Sequence, residues 1–309
     1  DMIDKIAKLI TDKKYRFYVL LRHGFYNKWS DERFLKKIYK IRMGESLNLE
    51  CPVTFNEKLQ WLKIYDRNPE YTKMVDKYEA KKYVANIIGE QYIIPTLGVW
   101  KKFEDIKFED LPSQFVLKPT HTSGNVFVCK NKDNIEYREL KKEVDKWMER
   151  KYYYLHREWP YKNIKPRIIA ETYIENKNEI GLRDYKFMCF NGKVKCSFVC
   201  SSRNSKEGLH VDFYDLEWNK MPFTRHYPNS SEDIKKPINY EQMIKLSEKL
   251  SLNIPFVRVD FYEANGKIYF GELTFYPGSG FEEFSPERYD KILGDMIKLP
   301  KNKYNGNGA

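Results

Sequence analysis

The sequence predicts an α+β fold, with a mostly helical first hundred residues and a strand-rich remainder, and three observations carry that prediction. Apolar residues recur at helical spacing in Phe55-Asn-Glu-Lys-Leu-Gln-Trp-Leu-Lys-Ile-Tyr65 and again over residues 75–84, punctuated by Pro52, Pro69 and Pro95. Beyond Leu111 the period shortens to that of strands. Two Asn-Gly pairs, Asn191-Gly192 and Asn265-Gly266, then lie between alternating runs and mark hairpins.

Taken in order, residues 1–100 form the helical region. Residues 2–21 have the pattern of one basic amphipathic helix, expected to pack on its own domain with a solvated lysine face; the alternative is a helix lying on an anionic membrane. Residues 101–170 hold a short strand at 115–118, the polar loop Pro119-Thr-His-Thr-Ser-Gly124, a returning strand at 126–129 and a helical stretch over 137–154. Residues 171–300 are strand-rich to about Phe275, and residues 301–309 read as a disordered tail.

A chain of 309 residues with 41% hydrophobic and 16% aromatic residues can bury a sizeable core, and its net charge of +11 favours anionic partners. No apolar run is long enough to span a bilayer. The first twenty residues, broken by Lys5, Lys8, Asp12, Lys13, Lys14 and Arg16, give no secretory signal. The five cysteines show no CxxC spacing, which argues against a disulfide framework or a zinc site and points to a reducing cytoplasm. None of the five histidines neighbours a serine or cysteine in a nucleophile–base pattern.

The hairpin of residues 256–275 carries the sharpest chemistry. Val257, Val259, Phe261, Leu273 and Phe275 fall in one phase; Arg258, Asp260, Glu272 and Thr274 form the polar face. For both apolar sets to meet one core the pairing sum must be even, which excludes a two-residue turn and predicts a three-residue loop with Gly266 in the left-handed conformation. Glu272 is then expected opposite Arg258, with Asp260 diagonal to it at about 7 Å between Cβ atoms. Two carboxylates close such a gap around hard cations, the arrangement that holds magnesium under a triphosphate. Acidic residues on the solvent face of a hairpin are also ordinary, so the neighbours matter. The loop Tyr276-Pro-Gly-Ser-Gly280 follows directly and offers backbone to a substrate.

The other hairpin turns at Asn191-Gly192, and a two-residue turn pairs Lys186 with Ser197 and Phe187 with Cys196. Asp184, Lys186 and, farther on, Arg203 then share one face, while Tyr185, Phe187 and Phe198 take the other. A solvated polar face is the bland alternative; one cationic and one carboxylate-bearing hairpin together suit phosphates with a metal. In the loop at 119–124, backbone N–H groups, Ser123, Thr122 and His121 could cover phosphates, with Gly124 its only glycine and Lys118 reaching the same charges. No P-loop or dinucleotide-binding glycine motif is present.

The order Lys77, Phe-Val-Leu-Lys118, Glu171-Thr-Tyr-Ile174, Asp184-Tyr-Lys186, Arg203, Arg258-Val-Asp260 and Gly271-Glu272-Leu-Thr274 resembles the ATP-grasp fold. More narrowly, Thr54-Phe-Asn-Glu-Lys-Leu-Gln-Trp61, Asp76-Lys-Tyr78, Asp184-Tyr-Lys-Phe187, Phe190-Asn-Gly-Lys-Val194 and Phe270-Gly-Glu-Leu-Thr-Phe-Tyr-Pro277 resemble the TupA-like ATP-grasp family, which is associated with cell-surface polysaccharide biosynthesis. The resemblance covers residues 45–299. It implies two α+β subdomains clasping ATP, the lid with its phosphate loop at 101–170 and the hinge and metal site at 171–300. Lys77 and Lys118, with Ser123 and Gly124 of the loop, would meet the phosphates. Glu171 would accept from the adenine amino group, the Ile174 backbone would read the ring edge, and Asn178 or Glu179 would reach the ribose. Lys186 and Arg203, with Arg258, would be the catalytic cations, and Asp260 and Glu272 would bind Mg2+. Many ATP-grasp enzymes have asparagine where Thr274 stands; threonine offers the metal one oxygen without the amide carbonyl.

The function so implied is an amide-forming ligase that phosphorylates a substrate carboxylate and joins it to an amine, the carboxylate being a uronic acid of an envelope polysaccharide or its precursor. A phosphotransferase acting on a sugar hydroxyl is the first rival. A glycosyltransferase would need an Asp-x-Asp that the sequence lacks, Asp212-Phe-Tyr-Asp215 having the wrong spacing. A nucleic-acid binder is permitted by the charge, although no nucleic-acid partner is expected. Contact with a membrane or with polysaccharide-assembly enzymes is the remaining partner expectation. Tyr276, Ser279, His210 and Arg225 are the candidate acceptor contacts.

Overall fold

The computed structural model describes residues 2–176, 182–201 and 208–301, so Asn178, Glu179, Arg203 and the tail at 302–309 lie outside the described residues. The helical region comprises α1 (Met2–Thr11), α2 (Lys13–Arg22), α3 (Asp31–Met43), α4 (Phe55–Tyr65), α5 (Glu70–Val75) and α6 (Glu79–Ile88). The single helix expected over residues 2–21 is two. Asp12 leaves the helical conformation and caps the second, its Oδ1 accepting from the backbone N–H groups of Lys14 and Tyr15. The helix expected over 75–84 is also broken, because Asp76 turns out at φ −68°, ψ 117°; Lys77 therefore sits in the junction between α5 and α6.

Helix α4 has the expected bounds. A capping box of Thr54 and Glu57 starts it, worth about 1 kcal/mol. Its polar residues face inward: Asn56 binds Asp290, Lys58 donates to the carbonyls of Gly294 and Ile297, and Gln60 and Lys63 hold the loop after the metal-type hairpin. Phe55 packs edge-on against Phe256, 5.0 Å between ring centroids. The helical region thus shares one core with the large sheet.

A smaller sheet is built from β1 (Thr96–Trp100), β2 (Phe115–Pro119), β3 (Phe127–Cys129) and β4 (Ile168–Thr172), in the antiparallel order β1-β4-β2-β3. Helix α7 (Tyr137–Glu149) covers it with Leu140, Val144 and Trp147 at helical spacing, forming a second core with Leu117, Ile168 and Ala170. The stretch expected as helical over 137–154 ends at Glu149 and resumes as α8 (Tyr153–His156).

The larger sheet has the antiparallel order β10-β9-β5-β6-β7, formed by β5 (Asp184–Phe190), β6 (Lys193–Ser201), β7 (His210–Tyr214), β9 (Phe256–Ala264) and β10 (Lys267–Thr274). A two-stranded ribbon pairs β8 (Thr224–Arg225) with β11 (Phe284–Ser285); α9 (Tyr240–Leu250) and α10 (Arg288–Met296) complete the fold.

Both hairpin registers differ from expectation, for one physical reason. The turn of β9 and β10 has two residues, Asn265 at φ 51° and Gly266 at φ 74°, with Ala264 opposite Lys267. Parity is restored farther along by a bulge, where Gly271 has no partner between the pairs Phe270–Phe261 and Glu272–Asp260. Glu272 therefore faces Asp260 directly, and Thr274 faces Arg258. In the other hairpin the expected two-residue turn is present, but Lys195 is passed over between Val194 and Cys196, so Lys186 pairs with Phe198 and Phe187 with Ser197. Phe198 consequently lies on the Lys186 face, not the opposite one.

Candidate active site

The registers line up one transverse row on the large sheet: Phe198, Lys186, Asp260 and Glu272 are successive cross-strand partners on β6, β5, β9 and β10. Lys186 Nζ donates to Asp260 Oδ2 at 2.5 Å and also pairs with Asp184. Arg258, on the same face of β9, forks onto Asp260 at 2.7 and 2.6 Å and reaches Glu272 Oε1 at 2.7 Å. Thr274 Oγ1 donates to Glu272 Oε1 at 3.2 Å. Both Asp260 oxygens are engaged. Glu272, with a side chain 36% exposed, keeps Oε2 without a hydrogen bond among the described residues.

Burial alone would raise the Glu272 carboxyl, but Arg258, Lys186 and Lys77 outweigh it and hold it at about 2. Burial raises Asp260 against the pull of Arg258 and Lys186. It would lower Lys186, yet Asp184 and Asp260 prevail and raise it. The row is therefore a dense set of fixed charges facing a cleft of about 440 Å³.

The small sheet and the α5–α6 junction form the opposite wall. Asp76 Oδ1 accepts from the N–H groups of Tyr78 and Glu79, its Oδ2 pairs with Arg167, and Lys77 N–H donates to the Thr120 carbonyl. These bonds fix Lys77 at the mouth of the phosphate-type loop, where Nζ meets the Thr122 carbonyl. Burial lowers Lys77, with Lys118 adding to it against Glu272. Such a cation gains from an incoming anion. Ser123 and Gly124, the latter at φ +83°, line the cleft; Thr122 and His121 are buried behind it.

Glu171 on β4 is clasped by Lys81 and Lys118, each at 2.6 Å. Burial would raise its carboxyl, but Lys118 and Lys81 bring it down to about 2. A carboxyl depressed on folding stabilises the fold fully above its unfolded value of about 4.3, and that contribution is lost as pH falls toward the folded value. Glu171→Gln should therefore melt below wild type at pH 6, with the gap closing as pH approaches 2.5; thermal melts across that range check it.

The cleft brings together Lys77, Lys118, Ser123, Gly124, Glu171, Lys186, Arg258, Asp260 and Glu272. Ile174 lies past the end of β4 and is not among its lining residues, and Thr274 touches the site through Glu272. Sequence reasoning missed Lys81, one of two adjacent lysines on α6, which is distinguished by its reach to Glu171 and the Ile94 carbonyl. Of the candidate acceptor contacts, Arg225 lines the cleft. Tyr276 is buried, and Ser279 turns to His156 and Glu158 at 3.1 and 2.7 Å. That Ser279–His156 contact has no counterpart in the sequence pattern, since 123 positions separate the two residues.

These side chains fit a nucleotide triphosphate with magnesium. Magnesium keeps most of its waters and takes one or two protein carboxylates, a demand that the uncommitted Glu272 oxygen and adjacent Asp260 meet without the three-ligand clusters that are absent among the described residues. Across the cleft Lys77 has the neutral Thr122 carbonyl and Lys118 has Glu171 as its partner.

The chain is similar in fold to the D-alanine–D-alanine ligase of Bacillus anthracis complexed with ATP: 19% identity, TM-score 0.41, 72% of this chain and 63% of that one. It is similar also to the ATP-grasp ligase PsnB complexed with minimal precursor, Mg and ADP, at 11% identity and TM-score 0.39 over 79% and 66%, and to the D-cycloserine synthetase DcsG at 14% identity and 0.37 over 74% and 71%. The chain thus spans less than two thirds of the length of the first two. No curated protein sequence matches it. The family model described as TupA-like ATPgrasp matches residues 57–298, a stretch that includes the whole charged row, the phosphate-type loop and Glu171, and the chain belongs to the TupA-like ATP-grasp family.

Proposed function

We propose that the chain is an ATP- and Mg2+-dependent carboxylate–amine ligase acting through an acyl phosphate. The observation that supports it most is the row Lys186–Asp260–Glu272 with Arg258, faced across one cleft by Lys77 and Lys118. Asp260 and Glu272 would hold magnesium, which supplies positive charge beside the phosphates. Lys77, Lys118 and the Ser123–Gly124 backbone bind the triphosphate, and Glu171 with Lys81 shapes the adenine end. Arg258 and Lys186 neutralise the phosphoryl oxygens as a carboxylate oxygen of the acid substrate attacks the γ-phosphorus and ADP departs. The amine then attacks the acyl carbon, phosphate leaves and the amine proton passes to solvent. Such chemistry is mostly positioning and charge stabilisation, which this cleft provides.

The substrate reading is a uronic acid of a capsular or other cell-surface polysaccharide, or its precursor, joined to an amino acid or other amine in the cytoplasm. A basic surface suits an acidic glycan. No helix among the described residues is long and apolar enough to cross a membrane, so association with a membrane or with assembly enzymes would be peripheral.

Thermal stability with magnesium and AMP-PNP tests the nucleotide site, since a ligand that binds the folded state alone must raise its stability, by about 2.7 kcal/mol at a hundredfold excess over Kd. Magnesium-dependent stabilisation is expected, followed by ADP release that requires an acid and an amine together. ADP release with a single hydroxyl-bearing sugar would make the enzyme a kinase. Stabilisation by a UDP-sugar and not by adenine nucleotides would overturn the reading.

A further inference from the structure

One cation of the cleft has no part in the nucleotide reading. Arg225 on β8 is 5% exposed and lines the cleft, yet its Nη1 is buried without a hydrogen-bond acceptor among the described residues. Its only ion-pair partner among them is Glu282, whose Oε2 lies 2.9 Å from Nε but outside hydrogen-bond alignment. A buried guanidinium donor left unpaired is costly and rare, and in a cleft wall it points to an anion that arrives from outside.

The position of the guanidinium narrows that anion. It lies over Phe198 and Phe213, 4.7 and 5.3 Å from their ring centroids, on the β6–β7 side of the sheet, whereas Glu272 and the Lys77 charge beside it belong to the β10 edge. Arg258 sits over the same Phe198 ring at 5.7 Å. The two guanidinium carbons can therefore be no farther apart than those two Phe198 distances laid end to end. A small molecule held by Arg225 therefore lies beside the charged row. The planar fork of arginine over an aromatic floor suits a carboxylate. Glu282 is drawn into the same place because Gly278, at φ 56°, has no side chain; a Cβ there would stand 2.2 Å from Glu282 Cδ. A carboxylate beside the arginine also suits an ammonium, which favours an amino acid over a sugar acid.

We propose that Arg225 and Glu282 form the seat for a carboxylate-bearing substrate, Arg225 taking the carboxylate. This rests on the ligase reading, and the test separates the two. The protein is titrated with L-alanine and with L-glutamate in one arm and with D-glucuronate in the other, with and without saturating magnesium and AMP-PNP, reading thermal shift. A carboxylate is expected to stabilise wild type, with its apparent Kd raised at least tenfold in Arg225→Gln while the AMP-PNP shift is unchanged. Arg225→Lys keeps the charge but not the fork and is expected to weaken the same arm. Loss confined to the amino acids, shared by Glu282→Gln, identifies an amino-acid seat; loss confined to glucuronate identifies a sugar-acid seat. The proposal is overturned if Arg225→Gln and Arg225→Lys bind the carboxylate as wild type does, if Arg225→Gln weakens AMP-PNP instead, or if no carboxylate stabilises wild type. An absent AMP-PNP shift in wild type counts against the ligase reading alone, because the titrations without nucleotide still score Arg225.

Discussion

Glu272→Gln is expected to lower ATP turnover by at least about a hundredfold, the loss of several kcal/mol of charge stabilisation at the phosphates. The change is nearly isosteric. Arg258 and Thr274 keep an oxygen to bind, and solvent screens this 36% exposed side chain far more than Glu171, so the melting temperature should fall less than in Glu171→Gln while magnesium-dependent stabilisation by AMP-PNP disappears. Asp260→Asn should share the loss of turnover but not the silence in stability. Asp260 is 1% exposed and neutralises both Arg258 and Lys186, so removing its charge leaves two buried cations short of an anion. Steady-state ADP release beside thermal melts of both variants checks the pair. Wild-type turnover in Glu272→Gln would remove it from the phosphate chemistry.

Lys186→Ala is expected to be the most damaging single change in the row. Its ammonium is the charge between Asp184 and Asp260, and breaking a buried pair from one side costs about 3–5 kcal/mol. Where the variant remains folded at low temperature, kcat should fall by about a hundredfold or more with little change in the KM for ATP, because in the proposed mechanism the lysine acts on charge that develops in transfer. Urea unfolding and single-turnover kinetics at saturating ATP separate the two effects. A variant that loses ATP affinity but retains kcat would place Lys186 with the binding lysines instead.

What the sequence made legible follows the range of each interaction. Helix α4 was readable to the residue, since its capping box and periodicity are local. Both hairpins were readable from Asn-Gly, and so was the polar character of the face bearing Lys186, Asp260 and Glu272. Their registers were not, because the bulges at Lys195 and Gly271 depend on what packs above and below the sheet. The parity argument correctly detected that a plain two-residue hairpin cannot bury both Phe261 and Leu273. It placed the extra residue in the turn, whereas the protein places it beside the carboxylates. Lys77 was assigned to a helix because residues 75–84 keep the period through Asp76, and the side chain of Arg167, ninety-one positions away, is what holds the break. Lys81 carried no local signal at all and is marked only by its neighbour Glu171, whereas Arg225 was one of four acceptor candidates in the sequence and is singled out by its empty donor.

Gly271 has a consequence for how this site can vary. Between Asp260 and Glu272 the chain must contain a two-residue tip and one unpaired position, so the meeting of the two carboxylates depends on a count of residues as much as on their identities. Substitutions at the positions flanking the tip leave that count alone. A single-residue insertion or deletion among the paired positions 261–264 or 267–270 that the bulge did not absorb would rotate Glu272 into the hydrophobic core and Leu273 into the charged row. Length in this hairpin is therefore under tighter constraint than composition.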